Sequence, residues 1–265
     1  GALMLLPTYK AEATELPAGL TTQNIDATVE QARKVFDVPG IAIAIVQNGK
    51  IVFNRGYGRR SEDIKSEAVD SRTLFAIGSN TKEFTATALA QLVDEGKLKW
   101  DDRVIDHLPE FRVSDPWITR DFRISDLLTH HSGMGLGAGD LMLFSHSTFA
   151  RKDVLAGLKY MPFTAPFRKE YAYNNVLYVV AGALVERVTG YSWEDVIQTH
   201  LIDASGLAAC QSTPPYKGEI DVATGQGDHT PLPEKAARFF PAVAPAGSIW
   251  CSIEGMARWA QIYLG

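Results

Sequence analysis

The chain has 265 residues, 46% of them hydrophobic and 22% charged, with a formal net charge of -5; that is the make-up of a globular protein able to bury a deep core, as one large domain or two packed lobes. The charge has the wrong sign for a nucleic-acid binder, and no run of Lys and Arg interleaved with aromatics occurs. No apolar stretch approaches the ~20 residues of a membrane-spanning helix.

In chain order, the opening "GALMLLP" is short and its Gly1-Ala2 reads as a cloning remnant, so any signal peptide is expected to have been removed. Residues 22 to 35 form a helix, with Ile25, Val29, Ala32 and Val35 or Phe36 on one face, and "DVPG" ends it. Next come two β-branched runs separated by Asn48-Gly49, a strong hairpin signal because a type I′ turn needs positive φ at both central residues. The first run is apolar on both faces, so a buried strand is expected.

From Thr81 to about Glu95 the pattern turns helical, with adjacent stripes of Phe84, Ala88, Leu92 and Thr85, Leu89, Val93, and Gly96 as the stop. So wide an apolar surface marks a central helix. Further helical pieces fall at 124 to 130, 152 to 158, 175 to 189 and 192 to 201, and an amphipathic helix at 253 to 264. "GMGLGAG" (133 to 139) lacks the Gly-x-Gly-x-x-Gly spacing and a preceding strand, so it reads as a mobile loop rather than a phosphate cradle. Cys210 and Cys251 are far apart and have no metal-ligand spacing. Two independent buried thiols are expected, a single bridge in an oxidising compartment being the alternative. A sheet lobe with a mostly helical lobe accounts for this order of elements.

The chemistry centres on "IGSNTKEF" (77 to 84), where Ser79 and Lys82 form Ser-x-x-Lys at the mouth of the central helix. One helical turn puts both side chains on the same face, beside backbone N–H groups that lack intrahelical partners and favour a forming oxyanion. Fourteen Ser and twelve Lys give roughly 0.6 such matches by chance, so the pair taken alone reads first as a helix cap beside a solvated Lys. Tyr173-Asn174-Asn175, a Tyr-x-Asn just before an apolar helix, is rarer, at about 0.2 chance matches. Taken singly, Tyr173 fits a buried aromatic with a satisfied hydroxyl, and Asn175 an N-cap.

Together with these motifs, "TLFAIGSNTKEFTATALAQLVDEGKLKWDDRVIDHLPEF" (73 to 111), "ISDLLTHHSGM" (124 to 134), "YAYNNVLYVVAGALVERVTG" (171 to 190) and "APAGSIWCSIEGMARWA" (244 to 260) resemble the serine β-lactamase and penicillin-binding-protein superfamily, in the branch of class C β-lactamases, D-alanyl-D-alanine carboxypeptidases and family VIII esterases. The likeness runs in order from about 27 to 265. It implies an α+β fold of the β-lactamase/transpeptidase type, an antiparallel sheet flanked by helices plus a mostly helical lobe. Residues 20–76 and 244–265 then belong to the sheet lobe and 77–243 to the helical lobe. It also carries the family's site onto Ser79, Lys82, Tyr173 and Asn175, with no metal and no cofactor, and favours the periplasm or cell exterior. The family's third motif, a Lys or His, a small residue and Gly on a strand after the helix near Ile253, has no counterpart before Gly265. The resemblance therefore implies that the parent protein continues, with one oxyanion donor on the missing strand and little activity in these 265 residues. His131-Ser132-Gly133 matches that motif by letter but lies upstream of the Tyr motif, and is expected to be structural.

No Gly-x-Ser-x-Gly elbow and no His-Glu-x-x-His occur, and the six His (107, 130, 131, 146, 200, 229) lack an acid partner identifiable from sequence. A Ser-His-Asp triad assembles only in space and stays an open alternative. The favoured reading is a serine hydrolase working through a Ser79 acyl-enzyme on a small-molecule or peptide acyl donor. An esterase or D-peptidase-like activity is preferred to a β-lactamase; a penicillin-sensing or scaffold domain is the non-enzymatic alternative. Lys starts near pKa ~10.4 and Tyr near ~10, so Lys82 and Tyr173 are expected to act as a joint base sharing one proton, with Asn175 orienting Lys82 or a substrate carbonyl.

Overall fold

A computed structural model of the chain describes residues 16–144, 148–207, 209–215, 221–227, 230–231 and 241–264. The opening "GALMLLP", His146 and His229 lie outside the described residues. Helix α1 (Thr22–Val35) begins where the Thr21 hydroxyl accepts from the Asn24 amide at 3.1 Å, and Arg33 and Lys34 occupy its last turn, where the helix dipole favours cations. Strands β1 (Gly40–Gln47) and β2 (Lys50–Gly58) pair antiparallel, joined through Asn48 (φ 50°) and Gly49 (φ 70°) as the turn chemistry requires. A small apolar cluster of Ile25, Val29, Phe53 and Tyr57 fastens α1 to this hairpin. β1 is half-buried along its length rather than buried: among the described residues only β2 flanks it, with α1 and α9 (Ile253–Leu264) packed against the hairpin.

Strand β3 (Phe75–Ala76) leads through a 3₁₀ turn at Gly78–Asn80 into α2 (Thr81–Asp94), which Gly96 ends in a left-handed conformation (φ 73°). Phe84, Thr85, Ala88, Leu89 and Leu92 of α2 are buried; Phe84 stacks on Trp259 of α9 with centroids 4.1 Å apart. The short helices α3 (Val104–His107) and α4 (Pro116–Asp121), the latter capped by Asp115 and started by Pro116, lie in a stretch without enough periodicity to betray them. The helix expected at 124 to 130 is only a 3₁₀ turn, Ser125–Leu127. Asp126, whose carboxylate would otherwise favour solvent, is drawn inward there by Arg168 and the Arg123 amide.

Helix α5 (Arg151–Gly157) packs on α6 (Val176–Thr189), which is buried on nearly every side and ends at Gly190 (φ 78°). The helix expected at 192 to 201 is α7 (Trp193–Val196) running into a wider π-turn segment, Ile197–Asp203. Strand β4 (Cys210–Gln211) joins a three-stranded sheet in the order β3-β7-β4, where β7 is Trp250–Cys251; β5 (Gln226–Gly227) and β6 (Thr230–Pro231) form a separate short ladder. Cys210 and Cys251 stand opposite one another in register and form a disulfide. The expectation of independent thiols is thus corrected: strand pairing brings together two residues that sequence separation had kept apart.

The short helix α8 (Ala244–Gly247) lies across α2 and α6. Its approach is possible because α6 has Gly182 at the crossing, where a Cβ would stand 2.2 Å from Pro245 Cγ. Gly182→Ala, ordinarily helix-stabilising, is therefore expected to lower the unfolding free energy by about 1–3 kcal/mol through overpacking. Urea denaturation measures it, and an unchanged or raised midpoint would refute this close contact.

Candidate active site

Ser79 lies in the 3₁₀ turn that opens α2, exposed, while Lys82 one turn on is only 7% exposed. The Lys82 Nζ reaches three oxygens: Ser79 Oγ at 3.2 Å, Asn175 Oδ1 at 2.9 Å and the Ala246 carbonyl at 2.8 Å. From the other side the Tyr173 hydroxyl donates to Ser79 Oγ at 2.5 Å. The structure thus brings all four sequence-derived site residues into one hydrogen-bonded group. Ser79 does not cap α2, and Asn175 makes no capping bond to α6; its neighbour Asn174 accepts from the Leu177 amide instead, leaving the Asn175 amide free to face Lys82.

The partners of Lys82 are themselves fixed. Thr85, one turn further along α2, donates to the Pro245 carbonyl at 2.7 Å and accepts from the Trp193 indole at 3.0 Å, which pins α8 over the lysine. The Thr81 hydroxyl accepts from the Ile249 amide, and the Ile77 amide donates to Ile249, tying the far end of that segment to the serine turn. The rings of Tyr173 and Tyr178 lie 4.8 and 5.3 Å from Nζ.

Burial lowers the Lys82 pKa to about 8, against the opposing attraction of Asp140. Burial also pushes Tyr178 up to about 12, while its hydroxyl donates to the Leu128 carbonyl at 3.0 Å. His130, whose pKa is lowered by burial and then by the nearby Lys82 and His131, accepts from the Asn174 amide through Nδ1. Its neutral form therefore carries the proton on Nε2. Among the described residues no histidine hydrogen-bonds to Ser79, whose partners are Lys82 and Tyr173, and no group of three or more His, Cys, Asp or Glu is placed to hold a metal ion.

The glycine-dense stretch is more than a loose loop. The Gly137 amide donates to the Tyr173 carbonyl, successive turns follow at Ala138 and Asp140, and Asp140 accepts from Asn175 Nδ2 at 3.0 Å. His131-Ser132-Gly133 lies in the loop beneath: the Gly133 carbonyl accepts from Thr164 and Ala165, and its φ of 83° explains the glycine. Asp140 and the Ala246 carbonyl escape sequence reasoning. The first is one acid among many, and the second has no side-chain signature.

A recess of about 380 Å³ opens beside the serine turn, bounded by Phe75, Ile77, Asn80, Ile253 and Met256. A larger cavity of about 460 Å³ between α5 and α6 is lined by no Ser, Thr or Cys, and its Arg151 and Arg187 are engaged by Glu186 and Glu110.

With fold and site in view, comparison with known proteins places the chain: the Beta-lactamase family model matches residues 25–265, and the chain belongs to that family. It is 30% identical over 257 residues to an unguisins hydrolase of Aspergillus violaceofuscus, covering 90% of this chain and 44% of that protein. It is 31% identical over 243 residues to penicillin-binding protein 4 of Amycolatopsis lactamdurans, covering 86% and 60% respectively. An octameric penicillin-binding protein homologue from Pyrococcus abyssi superposes with a TM-score of 0.76 at 25% identity, covering 92% of this chain and 56% of that one. A class C β-lactamase shares the fold at a TM-score of 0.76 and 22% identity, covering 89% and 62%. The chain spans about half the length of the relatives it matches.

The buried lysine has a measurable signature. Below pH 8 both folded and unfolded chains hold its proton, and the folded state bears the full cost of a buried ammonium. Between about 8 and the unfolded value of 10.5 only the unfolded chain keeps the proton, so folding gains as pH rises. Wild type is therefore expected to gain stability relative to Lys82→Met from pH 7.5 to 10 in urea titrations; a flat difference would contradict the lowered pKa.

Proposed function

We propose that the chain carries the acylating machinery of a serine hydrolase. Ser79 is the nucleophile, Lys82 and Tyr173 act on its proton, and the substrate is a small-molecule or peptide acyl donor: an ester, amide or β-lactam. The observation that supports this most is that Ser79 Oγ alone is shared between the Lys82 amine and the Tyr173 hydroxyl. When Lys82 is neutral, two of its N–H bonds point to Asn175 Oδ1 and the Ala246 carbonyl, neither of which has a proton to give at that atom. Its lone pair is then left facing Ser79, the one partner with an O–H. With a pKa near 8, a usable fraction of Lys82 is in that form at neutral pH.

In the forward step Ser79 Oγ bonds to the acyl carbon while its proton passes to Lys82 Nζ, assisted by the Tyr173 hydrogen bond. The tetrahedral oxyanion forms beside the opening turn of α2, where N–H groups and the helix dipole favour negative charge. Collapse expels the leaving group, which takes a proton from the Lys82–Tyr173 pair, and water then releases the acyl group. Relatives named as an unguisins hydrolase and as a penicillin-binding protein fit this common acyl chemistry. Within it we favour an esterase or D-peptidase-like activity. The Cys210–Cys251 disulfide supports an oxidising compartment such as the periplasm or cell exterior.

Intact-mass spectrometry of the full-length protein with a short-chain p-nitrophenyl ester and with a penicillin tests the proposal. A transient adduct with turnover is expected; a persistent adduct would favour a penicillin-sensing role, and no adduct with either donor counts against the nucleophile. Ser79→Ala is expected to abolish adduct formation, and Tyr173→Phe to slow acylation about 10²–10⁴-fold. Acylation by Tyr173→Phe at the parent rate would remove Tyr173 from the proton path.

A further inference from the structure

We propose that Asp140 is a positioning residue that fixes the Asn175 amide and thereby aims the lone pair of neutral Lys82 at Ser79. For its catalytic consequence the inference rests on the Ser79 reading above; for its physical content it does not. A primary amide can turn over, exchanging an acceptor for a donor at nearly the same place. Turned over, Asn175 would present Nδ2–H to Lys82, and a neutral amine would accept from it, directing its lone pair away from the serine. The Asp140 carboxylate only accepts, and it lies 3.0 Å from Asn175 Nδ2. With the NH₂ held there, Oδ1 must face Nζ, as it does at 2.9 Å.

The loop secures this arrangement. Asp140 starts a 3₁₀ turn, Asp140–Met142, directly after Gly139, whose φ of 85° suits a glycine. A Cβ at Gly139 would come within 2.7 Å of Val176 and 2.5 Å of Met161, so the turn lies tight against the start of α6. The Gly137 amide holds the Tyr173 carbonyl at 2.9 Å, and the Asn174 side chain donates to Ala138. The same short loop thus holds all three residues of Tyr-x-Asn.

The carboxylate acts in a second way, as a negative charge that partly offsets the desolvation of Lys82. Among the described residues, the groups facing Nζ are few. Tyr173 and Tyr178 present their rings, His130 lies beyond them and is itself disfavoured as a cation by Lys82, and α8 offers only a carbonyl. Among the described residues, Asp140 is the acidic group that acts on the lysine. Its removal should therefore leave the ammonium less stable.

The test is to titrate Lys82 by NMR of ε-carbon-labelled lysine in wild type, Asp140→Asn and Asp140→Ala, and to follow acylation by a fluorophosphonate probe against pH. In Asp140→Asn, which preserves the shape of the loop, the Lys82 midpoint is expected to move to lower pH by about one unit, and the acidic limb of the acylation profile with it. In Asp140→Ala, acylation is expected to fall about 10-fold or more on the alkaline plateau, where Lys82 is neutral in every variant, because the amide is free to turn; Asp140→Glu should recover part of that loss. A Lys82 midpoint unmoved in Asp140→Asn, or an alkaline plateau unchanged in Asp140→Ala, overturns the inference. Absence of any probe adduct in wild type would instead defeat the Ser79 reading, while the NMR midpoints would still decide the influence of Asp140 on Lys82.

Discussion

A buried amine has to satisfy three donors when charged and two when neutral, and the architecture around Lys82 answers to that requirement. Its acceptors come from three separated parts of the chain: Ser79 one turn back, Asn175 at the head of α6, and the carbonyl of Ala246 on α8. Removing water makes the ammonium costly, yet those acceptors keep the side chain from seeking solvent. The outcome is a lysine held near the point where both protonation states are accessible. A looser core would hydrate it, and a drier one would leave it permanently neutral.

That balance depends on helix packing at short range. α2, α6 and α8 meet through Gly182, Pro245 and the Trp193–Thr85–Pro245 hydrogen bonds, so the distance from Nζ to the Ala246 carbonyl is set by core contacts and not by flexible surface groups. Lys82 and Tyr178 are buried at this core, while Ser79 stays exposed beside them. In the function proposed above, the exposed oxygen is the nucleophile and the buried amine the proton acceptor.

Much of this was legible in the chain itself. The α1 helix, the Asn48-Gly49 hairpin, the central α2 and the apolar α6 carry local signals strong enough to survive tertiary context. Ser79, Lys82, Tyr173 and Asn175 could be picked out because the segments around them fall in the order of a known family; spacing at a helix start alone fits a cap as well. Asp140 could not, because its importance lies in one contact made 35 residues away in sequence. The cysteine pairing failed for a related reason: β4 and β7 are two-residue strands whose pairing no periodicity announces. The half-burial of β1 likewise reflects which strands neighbour it, a property of the assembled sheet.

The Ala246 carbonyl gives the site an uneven tolerance to mutation. A main-chain acceptor survives replacement of its own side chain provided the backbone keeps its path, so genetic drift at residue 246 meets a steric limit, since that side chain is 1% exposed, but no chemical one. Asn175 and Asp140 have no such protection, because a single nucleotide change can delete the atom that matters. The lysine's environment therefore divides into a main-chain acceptor that does not depend on side-chain identity and a pair of side chains that do.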